Sequence, residues 1–567
     1  MKNRLHRLSW ITQIKYRWHL RRAAWSNPVI GLVSSPEPWT IGSFDRGQQL
    51  VSGRVLTTGH IMEISEGSVW SLPPPSDLFA AELHGFEFLD DLAAFGDHSA
   101  KTKAQAWVLE WISGFGMGKG PGWTADLTGR RLIRWINNSS FLMNQLSKSK
   151  KSIICQSMAL QTLLLVRSWR QAPPGYARFE ALCGLVCATQ FLAGMGQLLG
   201  PAIQALEREC QTQIYADGTI ISRNPEELLD VFSLLTWVKK TLNMTNTPIP
   251  DILTERIARM APVLRCLRHG DGTLARFHGG GQGSEHILDQ ALAISGVRPS
   301  VPQDRAMGFA RLSAGATSLI MDAAAPPLGP ARFSAHASTC AFELSVGRNR
   351  LIINCGSGLS FGDDWQIASR STASHATLGI EGVSSSRFAT RKKNIFQALK
   401  ETAKIVSVQK TDAFDGVRLH VNHSGYQISH GLIHARTLDL PVDGKGLVGE
   451  DKLYAPDAGD IWRFDKMREK SSDALQYAVR FHLHPDVVPS LDFDGNAVSL
   501  TLVNGDVWVF RHYGANQLLL EGSVYFEEGR LHPRSTSQIT LSGEIKEITT
   551  RVRWSLAKAS ENPQKAV

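Results

Sequence analysis

The chain has no CxxC pair, no long apolar run and no acidic residue before Glu37. The first absence excludes a zinc knuckle built on paired thiolates. Seven scattered cysteines, an odd number, exclude a disulfide framework and read as small buried apolar residues. No stretch reaches the roughly 18 apolar residues of a transmembrane helix. The triple glycine Gly279–Gly281 is not followed by GK[ST], so a phosphate-binding loop is not expected there, and a loop at a domain junction is. No Lys/Arg-rich motif interleaved with stacking aromatics is present, so nucleic acid is not an expected partner. No internal repeat is evident.

What is present suits a globular protein of two or three domains. Of 567 residues, 43% are hydrophobic and 20% charged. The formal net charge of +9 favours an acidic partner, whether a polysaccharide or a membrane surface. The basic N-terminus lacks the apolar core of a secretory leader. Its Leu5, Leu8, Ile11, Ile14 and Trp18 recur at helical spacing. Two readings follow: a helix packed on the body, or a peripheral helix lying on an anionic membrane.

Three regions divide the chain. Residues 1–76 form a basic segment and an irregular region closed by the Pro-rich run Ser71–Ser76. Residues 77–300 read as helices, with apolar positions at 3.6 spacing in Ala104–Ile112, Leu127–Gln145, Ile153–Ser168, Tyr176–Leu198, Pro201–Tyr215, Pro225–Leu242 and Asp251–Leu267. Breakers such as Ala172-Pro-Pro-Gly175 and Gly200-Pro201 separate them into hairpins that can close as an α/α toroid. Residues 301–567 switch to period two, with more than ten strands and no helical spacers, which predicts an antiparallel β-sandwich. The expected class is therefore α+β and multidomain, an incomplete toroid followed by a sandwich.

One hairpin stands out. A two-residue turn at Gly347-Arg348 predicts pairing of Leu344 with Leu351, Phe342 with Ile353 and Cys340 with Cys355. The last pair is either a cross-strand disulfide or two reduced thiols. The apolar face should point into the sandwich, and Glu343, Ser345, Arg350 and Asn354 occupy the other face. His336 precedes the hairpin and His375 follows it. Strict alternation puts His336 on the Cys340 face, so a bend near Ala337–Thr339 is needed to bring it towards Asn354.

The segment Arg332–His375 resembles the heparinase II/III-like polysaccharide lyases. So do Gly129-Arg-Arg-Leu-Ile-Arg-Trp135, Asp217–Pro225, Arg268–Phe277, Gly425–His434, Gly449-Glu-Asp451 and Arg480-Phe-His-Leu-His-Pro485. The resemblance spans roughly residues 100 to 555 and implies a toroid joined to a sandwich. It implies β-elimination on a uronate-containing acidic polysaccharide, in a cleft with a positive field. Such chemistry needs a base for the C5 proton, an acid for the leaving oxygen and a counter-charge for the carboxylate. It also implies the cell envelope or periplasm, although no cleavable signal is visible and a cytoplasmic location stays open.

Carried over residue by residue, the resemblance offers His336, His375, Arg370 and Tyr426 as catalytic candidates. Independently of the resemblance, Arg178, Arg223 and Arg276, near expected helix ends or loops, are candidates to grip carboxylates or sulfates of the substrate. His482 and His484, on one strand face ended by Pro485, are either substrate or structural residues. One zinc ion would fall to His336, Asn354 and His375, where metal-binding members have an Asp in place of Asn354. His430 and His434 are further cleft candidates. Active lyases resemble Asn-His where this chain has Arg178-Phe179, and they place a Tyr near Asn224–Glu227. These departures give a second hypothesis, a non-catalytic glycan-binding or envelope-assembly protein. A third, hydrolysis by paired acids, rests on Asp217, Glu226 and Glu227.

Overall fold

A computed structural model describes residues 8–25, 31–64, 67–299, 303–389, 398–404, 406–470, 474–492 and 494–559. Leu5, counted above in the N-terminal periodicity, lies outside them. No helix is long and apolar enough to cross a membrane among the described residues.

The helical half is an incomplete α/α toroid. Its helices include His98–Phe115, Ala125–Asn137, Lys148–Ser168, Tyr176–Phe191, Leu199–Gln213, Pro225–Met244 and Asp251–Cys266. Their starts follow capping chemistry. Ser147 accepts the Lys150 N–H, and Asn224 accepts the N–H groups of Glu226 and Glu227 ahead of Pro225 at the first helical position. The helix Tyr176–Phe191 is central and packs on Ala125–Asn137, Lys148–Ser168, Leu199–Gln213 and Pro225–Met244. Its approach to Ala125–Asn137 depends on two glycines. A Cβ on Gly129 would meet Glu180 O at 2.3 Å, and one on Gly184 would meet Gly129 O at 2.4 Å.

The N-terminal helix Trp10–Trp25 packs on the body through Tyr16 and Leu20, with the Tyr16 hydroxyl donating to Gln171 Oε1 at 2.6 Å. Its other side exposes Trp10, Ile11, Ile14, Trp18 and Trp25. The packing reading therefore holds for the side that carries Tyr16 and Leu20.

The C-terminal half stacks two antiparallel sheets around one apolar core. One runs from Val406–Ala413 through Gly416–Tyr426, Leu432–Pro441, Gly446–Tyr454, Thr549–Lys558, Val507–Tyr513 and Ala497–Thr501 to Val488–Leu491. The other runs from Gln517–Tyr525 through Arg534–Glu544, Gln476–Leu483, Asn349–Ile353, Phe342–Val346, Thr317–Asp322 and Phe309–Ala314 to Arg305–Ala306. The expectation of no helical spacers fails. Ala458–Lys470 is a helix between two strands, anchored by buried Phe464 and Asp460.

The central hairpin turns at Gly347-Arg348, with Val346 opposite Asn349. Its register differs from the simple one. A bulge after Leu344 sets Leu344 opposite Ile352, not Leu351. The expected Cys340–Cys355 pairing goes with it. Both thiols are free, and Cys355 lies beside His482 and Ser523. The bend that alternation required is present: Ala341 N–H closes a turn on Ser338 O, and Cys340 has a left-handed φ of 68°.

Candidate functional site

The face of the hairpin that carries charge is buried against the toroid, not open. Glu343, wholly buried, accepts His269 Nε2–H at 3.1 Å and the backbone N–H groups of Arg276 and Asn354 at 3.2 Å each. Arg350 reaches Asp271 Oδ2 at 2.8 Å and Leu274 O at 2.9 Å. Burial alone would raise the Asp271 carboxyl, but the Arg350 guanidinium overrides it and holds it down at about 2. Arg223 fastens the same junction. It donates to Met307 O, Ala325 O and Gly308 O and pairs with buried Asp322 at 2.5 Å. Arg223 therefore joins the domains and does not face the cavity.

His336 and His375 do converge, with Nδ1 of the first 3.1 Å from Nε2 of the second. His375 Nδ1 lies 2.7 Å from Ser371 O, which can only accept, so His375 Nε2 carries the lone pair and His336 Nδ1–H donates to it. Burial then lowers the His375 imidazole to about 4, and His336 falls well below its ordinary value for the same reason, with neighbouring positive charge adding to it. Asn354 adjoins this pair, but its Oδ1 accepts Ala376 N–H at 3.0 Å and its Nδ2 faces Glu343. The three residues therefore do not fit a zinc triad: the third ligand atom is already engaged, and it is a neutral carbonyl. Arg370 donates to Ala335 O and Arg332 O and lies over the Phe388 ring, which clamps the loop that carries His336.

Other expected site residues belong to the sandwich interior. The Tyr426 hydroxyl donates to Leu378 O in the core, where burial pushes its phenol far above the ordinary range. His482 is held between Ser523 Oγ and Ala373 O, and burial lowers it to about 3. His484 lies against the Tyr525 ring, lowered to about 4 chiefly by burial. His434 donates from Nε2 to Asp451 at 2.8 Å and accepts from His423 at Nδ1, while His423 Nδ1 takes the Gly425 N–H. Arg436 grips both oxygens of Asp451. Among the described residues, Cys340, His423 and His434 are the three metal-ligating types whose ligand atoms lie within 4.8 Å. The bonds just given make His423 Nε2 a donor, so this group is a closed hydrogen-bond chain as it stands.

The open space lies elsewhere, in a cleft of about 390 Å³ between the toroid and the sandwich. Its toroid wall carries Arg130, Arg134, Tyr176, Glu180, Glu226, Asp230 and Trp237. Its far wall carries Arg276, Gln282, Tyr525, Glu527 and Glu528. The helix spacing explains the first set: Glu226, Asp230, Ser233 and Trp237 form one stripe of Pro225–Met244, and Arg130 and Arg134 form one of Ala125–Asn137. Of the expected substrate residues, only Arg276 lines this cleft. Arg178 is turned to Ala172 O and Glu209. Of the three toroid acids proposed for hydrolysis, Glu226 lines it, and Asp217 instead caps its own turn at Thr219.

Two of the four guanidiniums that line the cleft are already paired with carboxylates. Arg130 pairs with Glu180 at 2.7 Å and with Glu82 at 3.3 Å, and Arg134 pairs with Asp90. Burial, together with the nearby Glu87, raises the Glu82 carboxyl to about 8 despite Arg130. Tyr176 donates to Glu180 within this group.

Comparison with known proteins places this architecture. The family described as heparinase II/III-like, C-terminal, matches residues 297–555. FtsZ-localized protein C of Caulobacter vibrioides (strain NA1000 / CB15N) is 30% identical over 518 residues, covering 90% of this chain and 88% of that protein. The chain belongs to the heparinase II/III-like family. Among solved structures, heparinase III superposes with a TM-score of 0.70 at 15% identity, covering 99% of this chain and 92% of that one. Heparan sulfate lyase HepC from Pedobacter heparinus gives 0.55 at 14%, covering 97% and 88%. These likenesses establish a polysaccharide-lyase fold. In this heparinase II/III-like chain Phe179, at the position where the resemblance led to the expectation of a His, is buried, and Tyr176 lines the cleft from the toroid.

Proposed function

We propose that this chain binds a saccharide in the toroid–sandwich cleft and does not cleave it by β-elimination. One observation carries the reading: Arg130 and Arg134, the toroid guanidiniums that line the cleft, are already bonded to Glu180 and Asp90. Held this way, neither Arg130 nor Arg134 is free to counter the charge that develops on a uronate as its C5 proton leaves. The sealed positions of His336, His375 and Tyr426 add support, since a base must reach the proton it removes. The test mixes the protein with a panel of uronate polymers and other glycans. Saturable binding with no new absorbance in the unsaturated-uronate band is expected. A rise in that band would overturn the reading.

A lyase reading keeps one specific support, the Tyr176 hydroxyl in the cleft beside Arg130 and Arg134. It requires that Tyr176→Phe abolish any such absorbance while His336→Ala leaves it intact.

We also propose that the helix Trp10–Trp25 rests on an anionic membrane surface and holds the protein at the cell envelope. Its exposed Trp10, Ile14 and Trp18 are flanked by Lys15, Arg21 and Arg22, with no acidic residue before Glu37. The name of the relative from Caulobacter vibrioides supports a location with FtsZ. Co-sedimentation with anionic but not zwitterionic vesicles is expected, and Ile14→Glu with Trp18→Glu should abolish it. Equal binding to both vesicle types would sink the idea. A fluorescent fusion that never coincides with FtsZ would sink the location.

A further inference from the structure

We propose that the cleft takes a saccharide bearing a free, protonated amine, an amino sugar rather than a uronate. This rests on the reading of the cleft as a glycan-binding site and deepens it.

Two independent features lead there. The first is charge. Six carboxyl side chains line the cleft against four guanidiniums, although the whole chain carries +9. The local sign is therefore opposite to the global one. A polyanion drawn to the protein by its net charge is disfavoured at this cavity, and an ammonium is favoured.

The second is a buried donor that has no acceptor. Arg276 is 2% exposed and lines the cleft. Its Nη2 is fixed by Cys355 O at 2.8 Å and Phe526 O at 2.5 Å, and its guanidinium lies 4.0 Å over the Tyr525 ring. Its Nη1 has no hydrogen-bond partner. A rigid guanidinium with one unmet N–H is costly unless a ligand supplies an acceptor. Arg134 Nε, on the opposite wall, is likewise unmet.

Glu226 supplies the complementary group. Its Oε2 accepts Gly281 N–H at 3.0 Å, and among the described residues no hydrogen bond engages its Oε1. Gly281 follows Arg276 by five residues on the same junction loop, and Arg276 and Glu226 both line the one cleft. A sugar ring answers both, since a hydroxyl or ring oxygen accepts from Arg276 and a hydroxyl or ammonium donates to Glu226. The surplus of carboxyls selects the ammonium. A charged pair of this kind forms shorter and stronger bonds than neutral partners.

The test is equilibrium binding of the full chain to three oligosaccharides of equal length: β-1,4-linked glucosamine, its N-acetylated form and oligogalacturonate. Glucosamine oligomers should bind at least about tenfold tighter than the N-acetylated form, with oligogalacturonate weakest. Glu226→Gln should remove most of that preference, and Arg276→Met should weaken both amino-sugar ligands. Asp230→Asn serves as a second charge-removing variant, and thermal melting identifies any variant that fails to fold. Equal or tighter binding of the N-acetylated form overturns this inference and leaves the glycan-binding reading standing. Tightest binding of oligogalacturonate overturns it and restores an acidic ligand. Binding of none of the three, with the wild-type protein folded, overturns both.

Discussion

His336 Nδ1 lies 3.1 Å from His375 Nε2, and neither ring is among the groups that line the cleft. The pair is a neutral hydrogen bond buried where the sandwich meets the junction loop at His278, with its other end tied to Ser371 O. Replacing either histidine should therefore cost stability and spare ligand binding. His336→Ala and His375→Ala are each expected to lose about 1–3 kcal/mol, from the unmet partner and the cavity left behind. Urea unfolding measures the loss. Adding zinc or a chelator should leave the wild-type midpoint unchanged, because the Asn354 carbonyl oxygen is already occupied by Ala376 N–H. A zinc-dependent midpoint that disappears in His375→Ala would show the pair to be a metal site after all.

Buried imidazoles make the protein sensitive to acid. In the fold, burial holds His375 at about 4 and His482 at about 3, and holds His84 at about 3 with help from Arg131. An unfolded imidazole takes its proton near pH ~6.5, so below that value the unfolded chain binds more protons than the folded one. Stability should be full above pH ~6.5 and should fall as the pH drops towards 4. Glu82 acts in the opposite sense. Its folded carboxyl is raised to about 8, so its contribution is present below pH ~4.3 and is lost as the pH rises towards 8. Glu82→Gln should therefore stabilise the protein relative to wild type at pH 8, by on the order of 1 kcal/mol, and have little effect at pH 4.5. Urea midpoints at three pH values decide it, and a variant less stable than wild type at pH 8 would contradict the burial argument.

Much of the architecture could be read from periodicity, because helices with one polar stripe and strands with one polar face announce themselves. The helices Tyr176–Phe191 and Pro225–Met244 begin where their capping and breaker residues put them. The hairpin turn at Gly347-Arg348 was equally plain. Its bulge was not, because every residue of Phe342–Val346 is buried and alternation no longer separates an inside from an outside. The polar face that reads as a solvent or substrate face in sequence is covered by the junction loop through Glu343 and Arg350. The helix Ala458–Lys470 was missed because it is mostly polar and packs through few residues. In the cleft, the stripe Glu226, Asp230, Ser233 and Trp237 carried a usable signal. The Arg130–Glu180 pair carried none, since it exists only because two glycines 55 positions apart let their helices touch.

Glu343 couples the halves of the molecule. Wholly buried, it accepts bonds from the junction residues His269 and Arg276 and from Asn354 on the sandwich side. Against burial, which would raise it, the His269 hydrogen bond and Arg350 keep its carboxyl below the usual range. Glu343→Gln keeps the shape but turns an N–H₂ towards donors, and removes the negative charge facing Arg350. A loss of about 2–4 kcal/mol is expected. Limited proteolysis should then cut faster between the helix Glu285–Ser295 and the strand Phe309–Ala314, and urea unfolding should separate into two transitions. A single transition at the wild-type midpoint would place the coupling elsewhere.

Gly129 sets the width of the cleft wall. Its helix meets Tyr176–Phe191 so closely that a Cβ would fall 2.3 Å from Glu180 O and 2.6 Å from Ala181 Cα, both backbone atoms that cannot swing aside. Gly129→Ala must push the helices apart, at a cost of about 1–3 kcal/mol for overpacking. The same displacement should stretch the Arg130–Glu180 pair, which spans the contact at 2.7 Å. Loss of stability alone would not distinguish this from ordinary misfit, so the informative reading is the ligand. The net charge of the cleft is unchanged, but a released Arg130 can pair with a ligand carboxylate, and the variant should therefore gain affinity for oligogalacturonate relative to a glucosamine oligomer. Gly184→Ala, which meets Gly129 from the other helix at 2.4 Å, should shift both affinities the same way. If both variants are destabilised yet rank the ligands as wild type does, the Arg130–Glu180 pair does not set the ligand preference of the cleft.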